Sequence, residues 1–287
     1  MPYRQPAALR AALEARLRNR ALAERVDLER LRRRVAFERL LVRLEAAEPG
    51  RWVLKGGMAL EVRLAGRARS TRDLDLALRE RETDGGRVRD RLLASLAADA
   101  DGDGFAFRVG PPVAIRADEA GRPGWRFPVQ ARLAGRPFAS VRLEVVARPE
   151  ELHATERLAL PGLLGFAGFP AREVEAVDRA QHFAEKLHAY TRSYGARESS
   201  RVRDLADLVL LVEDGLAPTA GLRAAVDHVF AARATHPVPA ELPDPPGSWA
   251  ERYATLAADL DLGPATVADA LARLRAFWAS ALAAPDA

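Results

Sequence analysis

The sequence predicts an α+β protein, a mixed α/β half followed by an all-helical half. Three observations predict it. Apolar residues recur at helical spacing up to residue 47, the period drops to two between Phe105 and Val146, and helical spacing returns from Asp178 onward. A strand, a Gly-Gly turn, a short helix and a second strand lie between the first two regimes. The boundary between the halves falls within residues 150–178, and two domains are expected, 1–160 and 161–287.

The elements follow in order. Residues 7–47 read as helical, with Leu28, Leu31, Val35, Leu40, Leu41 and Leu44 spaced by three to four, and Pro49-Gly50 ends the stretch. Trp52-Val53-Leu54 is a short strand, Lys55-Gly56-Gly57 a turn, and Met58 to Leu64 a helix. Asp73 to Leu78 (DLDLAL) alternates strictly and reads as a strand; Val88 to Ala98 is a helix. Asp101-Gly-Asp-Gly is a turn and not a calcium loop, because the spaced oxygen ligands and final Glu are missing. FAFRV, GWRFPVQARL and FASVRLEVV are strands, with one more at Glu173 to Val177. Helices are expected at 178–192, 203–213, 219–232, 248–261 and 264–283, with a Pro-rich connector at 234–247.

Composition bounds the function. The chain has 287 residues, 44 Lys plus Arg against 40 Asp plus Glu, and no Cys. Zero Cys excludes a disulfide framework, Cys-ligated zinc, iron–sulfur clusters and a thiol nucleophile. No apolar run reaches the roughly 20 residues that span a bilayer. The first twenty residues carry charges every few positions and no apolar core of a secretory signal, so a soluble cytoplasmic protein with no membrane partner is expected. The net charge of +4 is weak evidence for a polyanionic partner. Only Lys55 and Lys186 are lysines in this arginine-rich chain, which marks them as positions where a compact ammonium serves and a planar guanidinium does not.

The chemistry is carried by the strand, Gly-Gly turn, helix and Asp-x-Asp strand. Residues i and i+2 of a strand share a face, so Asp73 and Asp75 project together while Leu74 and Leu76 enter the core. Paired carboxylates on a rigid strand suit hard divalent cations such as Mg²⁺, and two such ions can clamp the attacking and leaving oxygens of a nucleotidyl transfer. Gly56 and Gly57 offer backbone N–H groups to triphosphate oxygens, with no Cβ in the way. Lys55, just before them, can contact a phosphate or pair with a carboxylate. The five His residues do not cluster in the sequence and read as ordinary structural histidines.

LKGGMALEVRL followed by STRDLDLAL resembles the AbiEii-type nucleotidyltransferase toxins, a branch of the DNA polymerase β-like nucleotidyltransferase superfamily. A second match is AEKLHAYTRSYGARESSRVRDLADLVLL; together the motifs span roughly residues 35–215. The resemblance implies a nucleotidyltransferase core, a mixed β-sheet flanked by helices, followed by a C-terminal helical bundle. It implies transfer of a nucleoside monophosphate from an NTP. Metal binding carries over to Asp73 and Asp75, and Thr71 matches the Ser or Thr two places before the first Asp, where its hydroxyl is expected to bind the nucleotide by donating to a phosphate oxygen. The lysine of Glu-Lys-Leu is Lys186, and the first Asp of RDLADL is Asp204, with Asp207 as the other choice. The C-terminal domain would thus contribute Lys186 and Asp204 to catalysis, and Lys186 to the nucleotide. Glu144 is the candidate third carboxylate, as metal ligand or base; a cross-strand ion pair with an arginine is its structural alternative. The arginines at 30, 32, 33 and 34 read as a solvated helix face, and Arg63, Arg67, Arg69 and Arg72 lie around the first motif, where they can hold RNA phosphates.

The expected function is therefore a Mg²⁺-dependent toxin that adds nucleotides to an RNA, the 3′ end of tRNA, with a cognate antitoxin and no DNA partner. Nucleotidylation of a protein hydroxyl is the alternative on the same core. A non-catalytic NTP- or RNA-binding module is a third reading, and the intact Asp73/Asp75 pair argues against it.

Overall fold

The arrangement of elements is seen in a computed structural model that describes residues 3, 5–64, 67–115, 124–193, 199 and 201–285. Residues 194–198 and 200, inside the second sequence motif, lie outside the described residues. The chain forms two compact units: the first is Met1–Arg63, Ser70–Pro149 and Arg157–Ala176, the second Leu64–Arg69, Glu150–Glu156 and Val177–Ala287.

In the first unit, helix α1 (Pro6–Glu24) and helix α2 (Leu28–Ala47) replace the single helical stretch expected over 7–47. The break has a local cause. Arg25 turns left-handed at φ 53, and the Asp27 carboxylate accepts from the N–H groups of Glu29 and Arg30, which starts a new helix. Strand β1 (Trp52–Lys55) runs directly into helix α3 (Gly56–Arg63), so the expected Lys55-Gly56-Gly57 turn is absorbed into the helix start. Strand β2 is Asp73–Leu78 as expected. Helix α4 (Gly85–Ala97) begins earlier than Val88 because Asp84 caps the Gly86 N–H at 2.7 Å.

Strands β3 (Phe105–Val109), β4 (Val113–Ile115), β5 (Gly124–Leu133), β6 (Arg136–Val146), β7 (Thr155–Ala159) and β8 (Glu173–Val177) complete an eight-stranded sheet. Its order is β3-β5-β6-β2-β1-β8-β7, with β4 beside β5. It is mixed: β2 runs parallel to β6 and antiparallel to β1. One face buries Leu54, Leu74, Leu76, Phe127, Leu143 and Val145 in a core shared with Leu13, Phe37, Leu40 and Leu92 of the helices. The Asp101-Gly-Asp-Gly turn is tied to α2. Arg43 donates to Asp103 at 2.6 Å and to the Phe105 carbonyl at 2.8 Å, and Arg39 donates to Asp101 at 3.0 Å.

The second unit is helical: α5 (Arg179–Thr191), α6 (Val202–Glu213), α7 (Ala220–Arg233), α8 (Trp249–Leu260) and α9 (Val267–Leu282). Phe183, Leu205, Val226, Trp249, Tyr253 and Trp278 fill its interior. Histidines that are scattered in sequence meet here: the His188 and His236 rings are 4.6 Å apart. Their protons follow from the hydrogen-bond partners. Arg233 can only donate, so His188 Nδ1 accepts from it at 3.4 Å and His188 Nε2 donates to Thr235 Oγ1 at 2.8 Å. Thr235 donates to His236 Nδ1, His236 Nε2 donates to Thr191, and Thr191 donates to the Leu187 carbonyl. This run of hydrogen bonds fixes residues 235–236 to α5, with the His188 ring neutral.

Burial, followed by the charge of Arg233 and the neighbouring His236, pushes the His188 pKa down to about 3. Between about pH 6.5 and that value the unfolded chain binds a proton that the folded chain refuses. The contribution of His188 to stability is complete above pH 6.5 and is lost as pH falls toward 3, by about 1.4 kcal/mol per pH unit. Urea unfolding from pH 7 to 4 is expected to show this slope, and His188→Asn to lose it; an equal slope in the variant contradicts the assignment.

Candidate active site

The candidate site in the first unit is built on strand register. On β2, Leu74 and Leu76 are buried while Asp73 and Asp75 are only half-buried on the other face. Parallel pairing sets Asp73 beside Arg142 and Asp75 beside Glu144. Antiparallel pairing sets Lys55 beside Asp75, and Arg126 beside Glu144. Lys55, Asp75, Glu144 and Arg126 therefore form one row across four strands, a cation at each end and two carboxylates between. Asp73, Asp75 and Glu144, the three carboxylates singled out in the sequence, thus lie on adjacent strands of one sheet.

The carboxylates are met by arginines. Arg142 Nε and Nη2 donate to Asp73 Oδ1 and Oδ2 at 2.5 and 3.2 Å. Arg126 Nε and Nη2 both donate to Glu144 Oε1, at 2.8 and 2.5 Å. The hydrogen bonds that Arg126 donates to Glu144, and then the charge of Glu144, raise the pKa of Arg126, and the charges of Asp73 and Asp75 add to it. Glu144 thus makes the cross-strand ion pair while standing in register with Asp75. Arg142 and Arg126 were not singled out as site residues in the sequence, although Arg142 sits two places before Glu144 on the same face.

Gly56 closes the site from the side of α3. Its φ is +62°, and a Cβ there would lie 1.9 Å from Asp75 Oδ2. Only glycine satisfies both conditions. The N-terminal N–H groups of α3, including those of Gly56 and Gly57, start the helix beside this carboxylate. Helix α3 is itself held by its buried Glu61, which pairs with Arg30 and Arg34 of α2 at 3.4 and 3.3 Å. The arginine run of α2 is therefore an anchor and not only a solvated face; Arg32 likewise pairs with Glu14. The Thr71 hydroxyl donates to the Asp73 carbonyl at 3.1 Å and orders the entry to β2.

The donor chemistry fits a hard divalent cation, since Asp73, Asp75 and Glu144 supply oxygens from one face of one sheet. Among the described residues no group of three or more His, Asp or Glu already converges as a metal cage. An ion held there would draw on Asp73 and Asp75 against the competing charge of Arg142.

The second unit holds Lys186, Asp204 and Asp207 together. Lys186 Nζ lies 3.0 Å from Asp204 Oδ1 and 2.7 Å from Asp207 Oδ2. Arg69 Nε and Nη2 grip both oxygens of Asp207 at 3.0 and 2.8 Å, and Arg67 pairs with Glu213 at 3.2 Å. Burial opposes the charge on Lys186, but Asp207 and then Asp204 outweigh it, so its pKa stays above the usual value. Burial opposes the charge on Asp207 too, yet Lys186 and Arg69 draw its pKa down to about 2. The lysine is shared by both aspartates, and Asp207, buried and held bidentately, is the firmer partner.

Gly56→Ala tests the close approach. The new methyl must displace Asp75 or rotate the backbone out of φ +62°, so a stability loss of about 1–3 kcal/mol and loss of transfer activity are expected. Thermal unfolding and an activity assay check this; a wild-type melting temperature and rate would contradict the geometry.

The chain matches the family described as "Nucleotidyl transferase AbiEii toxin, Type IV TA system" over residues 39–279. Among solved structures it is similar to MenT4, nucleotidyltransferase toxin Rv2826c from Mycobacterium tuberculosis H37Rv, at 25% identity and a TM-score of 0.61, covering 94% of this chain and 89% of that one. An antigenic nucleotidyltransferase-like protein from Paracoccidioides brasiliensis is similar at 17% identity and a TM-score of 0.36, covering 69% and 93%, too slight a likeness to argue from. No curated protein matches the chain. The mixed sheet with its following helices and the match over residues 39–279 agree with the resemblance carried by LKGGMALEVRL and STRDLDLAL: the chain belongs to the AbiEii family of nucleotidyltransferase toxins.

Proposed function

We propose that this nucleotidyltransferase toxin transfers NMP from an NTP to an RNA acceptor, the 3′ end of tRNA, with Mg²⁺, and that a cognate antitoxin restrains it. The observation that carries the reaction class is the pair Asp73 and Asp75 on one strand face, with Glu144 in register and the Gly56-Gly57 helix start against Asp75. Family membership supports the antitoxin partner.

Each residue has a role in this reading. Asp73 and Asp75 hold the metal, with Glu144 as a third oxygen ligand or as the base that takes the acceptor proton. Bound Mg²⁺ supplies Lewis-acid stabilisation of charge on the transferred phosphoryl group. The N–H groups of Gly56 and Gly57 and the ammonium of Lys55 receive phosphate oxygens, and the Thr71 hydroxyl orients the approach to Asp73. Lys186 is assigned to the nucleotide and Asp204 to its orientation. Asp207 and Asp204 together hold the ammonium pKa above its ordinary value against the cost of burial. Among the described residues no helix is long and apolar enough to cross a membrane.

Incubation of the protein with each labelled NTP, divided between total tRNA and total cell protein, tests the acceptor. Label in tRNA is expected; label in protein alone would favour nucleotidylation of a hydroxyl. Asp73→Ala and Asp75→Ala are each expected to lower transfer by about 10³-fold or more while the fold persists. Full activity in either variant contradicts the metal assignment.

Lys186→Arg is the sharper test of the second motif. A guanidinium keeps the charge but cannot take the place of a point charge between Asp204 and Asp207, so NTP affinity and rate both fall, by about tenfold. Wild-type kinetics in that variant would reduce Lys186 to a structural ion pair.

A further inference from the structure

The sheet face that carries Asp73 and Asp75 continues past them across β6, β5 and β3. On β5, Trp125, Phe127, Val129, Ala131 and Leu133 are buried, so Arg126, Pro128, Gln130 and Arg132 project the other way. On β6, Ser140 and Arg142 project to that side, and on β3 Ala106 and Arg108 do. Register aligns them: Pro128 stands opposite Arg142, Gln130 opposite Ser140, and Arg108 opposite Gln130. A cavity of about 470 Å³ opens among Arg108, Pro128, Gln130, Ser140 and Arg142. It begins at the arginine that grips Asp73.

Charge on this face is segregated. The acids Asp73, Asp75 and Glu144 lie on β2 and on the β6 residues beside it, while the outward charges on β5 and β3 are all arginines. Arg126, Arg132 and Arg142 have partners within the sheet: Glu144, Gln130 and the Gly135 carbonyl, and Asp73. Arg108 is exposed and makes no ion pair or hydrogen bond among the described residues. Three strand spacings of about 4.8 Å separate the aspartate column from Arg108, or about 14 Å less the reach of the side chains. The outward arginines and hydrogen-bonding groups of this face suit the phosphates of a polyanion.

We propose that this open face is the acceptor platform: an RNA single strand crosses β3, β5 and β6 with its 3′ end at Asp73 and Asp75 and an upstream phosphate on Arg108. The proposal rests on the reading that the acceptor is RNA. Gln130 and Ser140 line the path between, and Pro128 presents a flat apolar surface to a ribose or base.

The test is the binding of a 5′-labelled single-stranded RNA of about twelve nucleotides, followed by fluorescence anisotropy from about 50 to 200 mM salt, with RNA extension assayed in parallel. Arg108→Ala is expected to weaken binding severalfold and to lower the slope of log affinity against log salt by about 0.7, one single-strand phosphate contact. Arg108→Glu weakens binding further, and Arg108→Lys retains most of it, because the contact needs charge more than shape. In steady-state transfer, the KM for RNA rises in Arg108→Ala and the KM for NTP does not. If all three variants bind with wild-type affinity and slope while the wild type extends RNA, the platform is overturned and the acceptor reading stands. If the wild type neither binds nor extends RNA, the acceptor reading fails and takes the platform with it.

Discussion

The approach of Gly56 to Asp75 is the constraint on which the candidate site depends. A backbone that can enter a helix at φ +62° within reach of a carboxylate requires glycine, and it places a helix N-terminus against the second acid of DLDLAL. Everything around it serves that contact. β1 delivers the glycine, β2 delivers the carboxylate, and their antiparallel register fixes Lys55 beside Asp75. Glu61, one turn and a half further along α3, is buried against Arg30 and Arg34 and holds the helix in place. Stability is spent here on position: a buried ion pair adds little net stabilisation but loses several kcal/mol when one partner is removed.

Arginine performs two kinds of work in this chain. Arg30, Arg34, Arg39, Arg43 and Arg69 are structural forks gripping carboxylates inside the units. Arg126 and Arg142 stand on the open sheet face and neutralise Glu144 and Asp73. In the function proposed above, the same guanidiniums would receive phosphate oxygens once a cation took the acids. Lysine is kept for a different task. Lys186 sits buried between two aspartates, where a compact ammonium fits and is held fully charged.

Much of this was legible in the sequence, for physical reasons. Strict alternation in DLDLAL and SVRLEVV reports which side chains share a face, so Asp73 could be grouped with Asp75, and Arg142 with Glu144, before any strand was paired. Which strands pair, and in which register, is a long-range property that alternation does not encode, so the opposition of Asp75 to Glu144 appears only in the sheet. The short strands β4 and β7 were missed because neither buries an apolar face, and an edge strand without one has no period-two signal. The break between α1 and α2 was missed because apolar spacing continues across it, and one left-handed residue with an Asp cap leaves only a weak local mark. Five histidines spaced far apart gave no hint that His188 and His236 would share a proton chain through Thr235.

In the function proposed above, Asp73 and Asp75 bind a divalent cation in competition with Arg142. Calorimetric titration of Mn²⁺ into the protein without nucleotide tests this most directly. The account predicts saturable binding that vanishes in the Asp73→Asn, Asp75→Asn double variant and tightens in Arg142→Gln, where the competing guanidinium is gone. Binding of equal strength in all three proteins would contradict it.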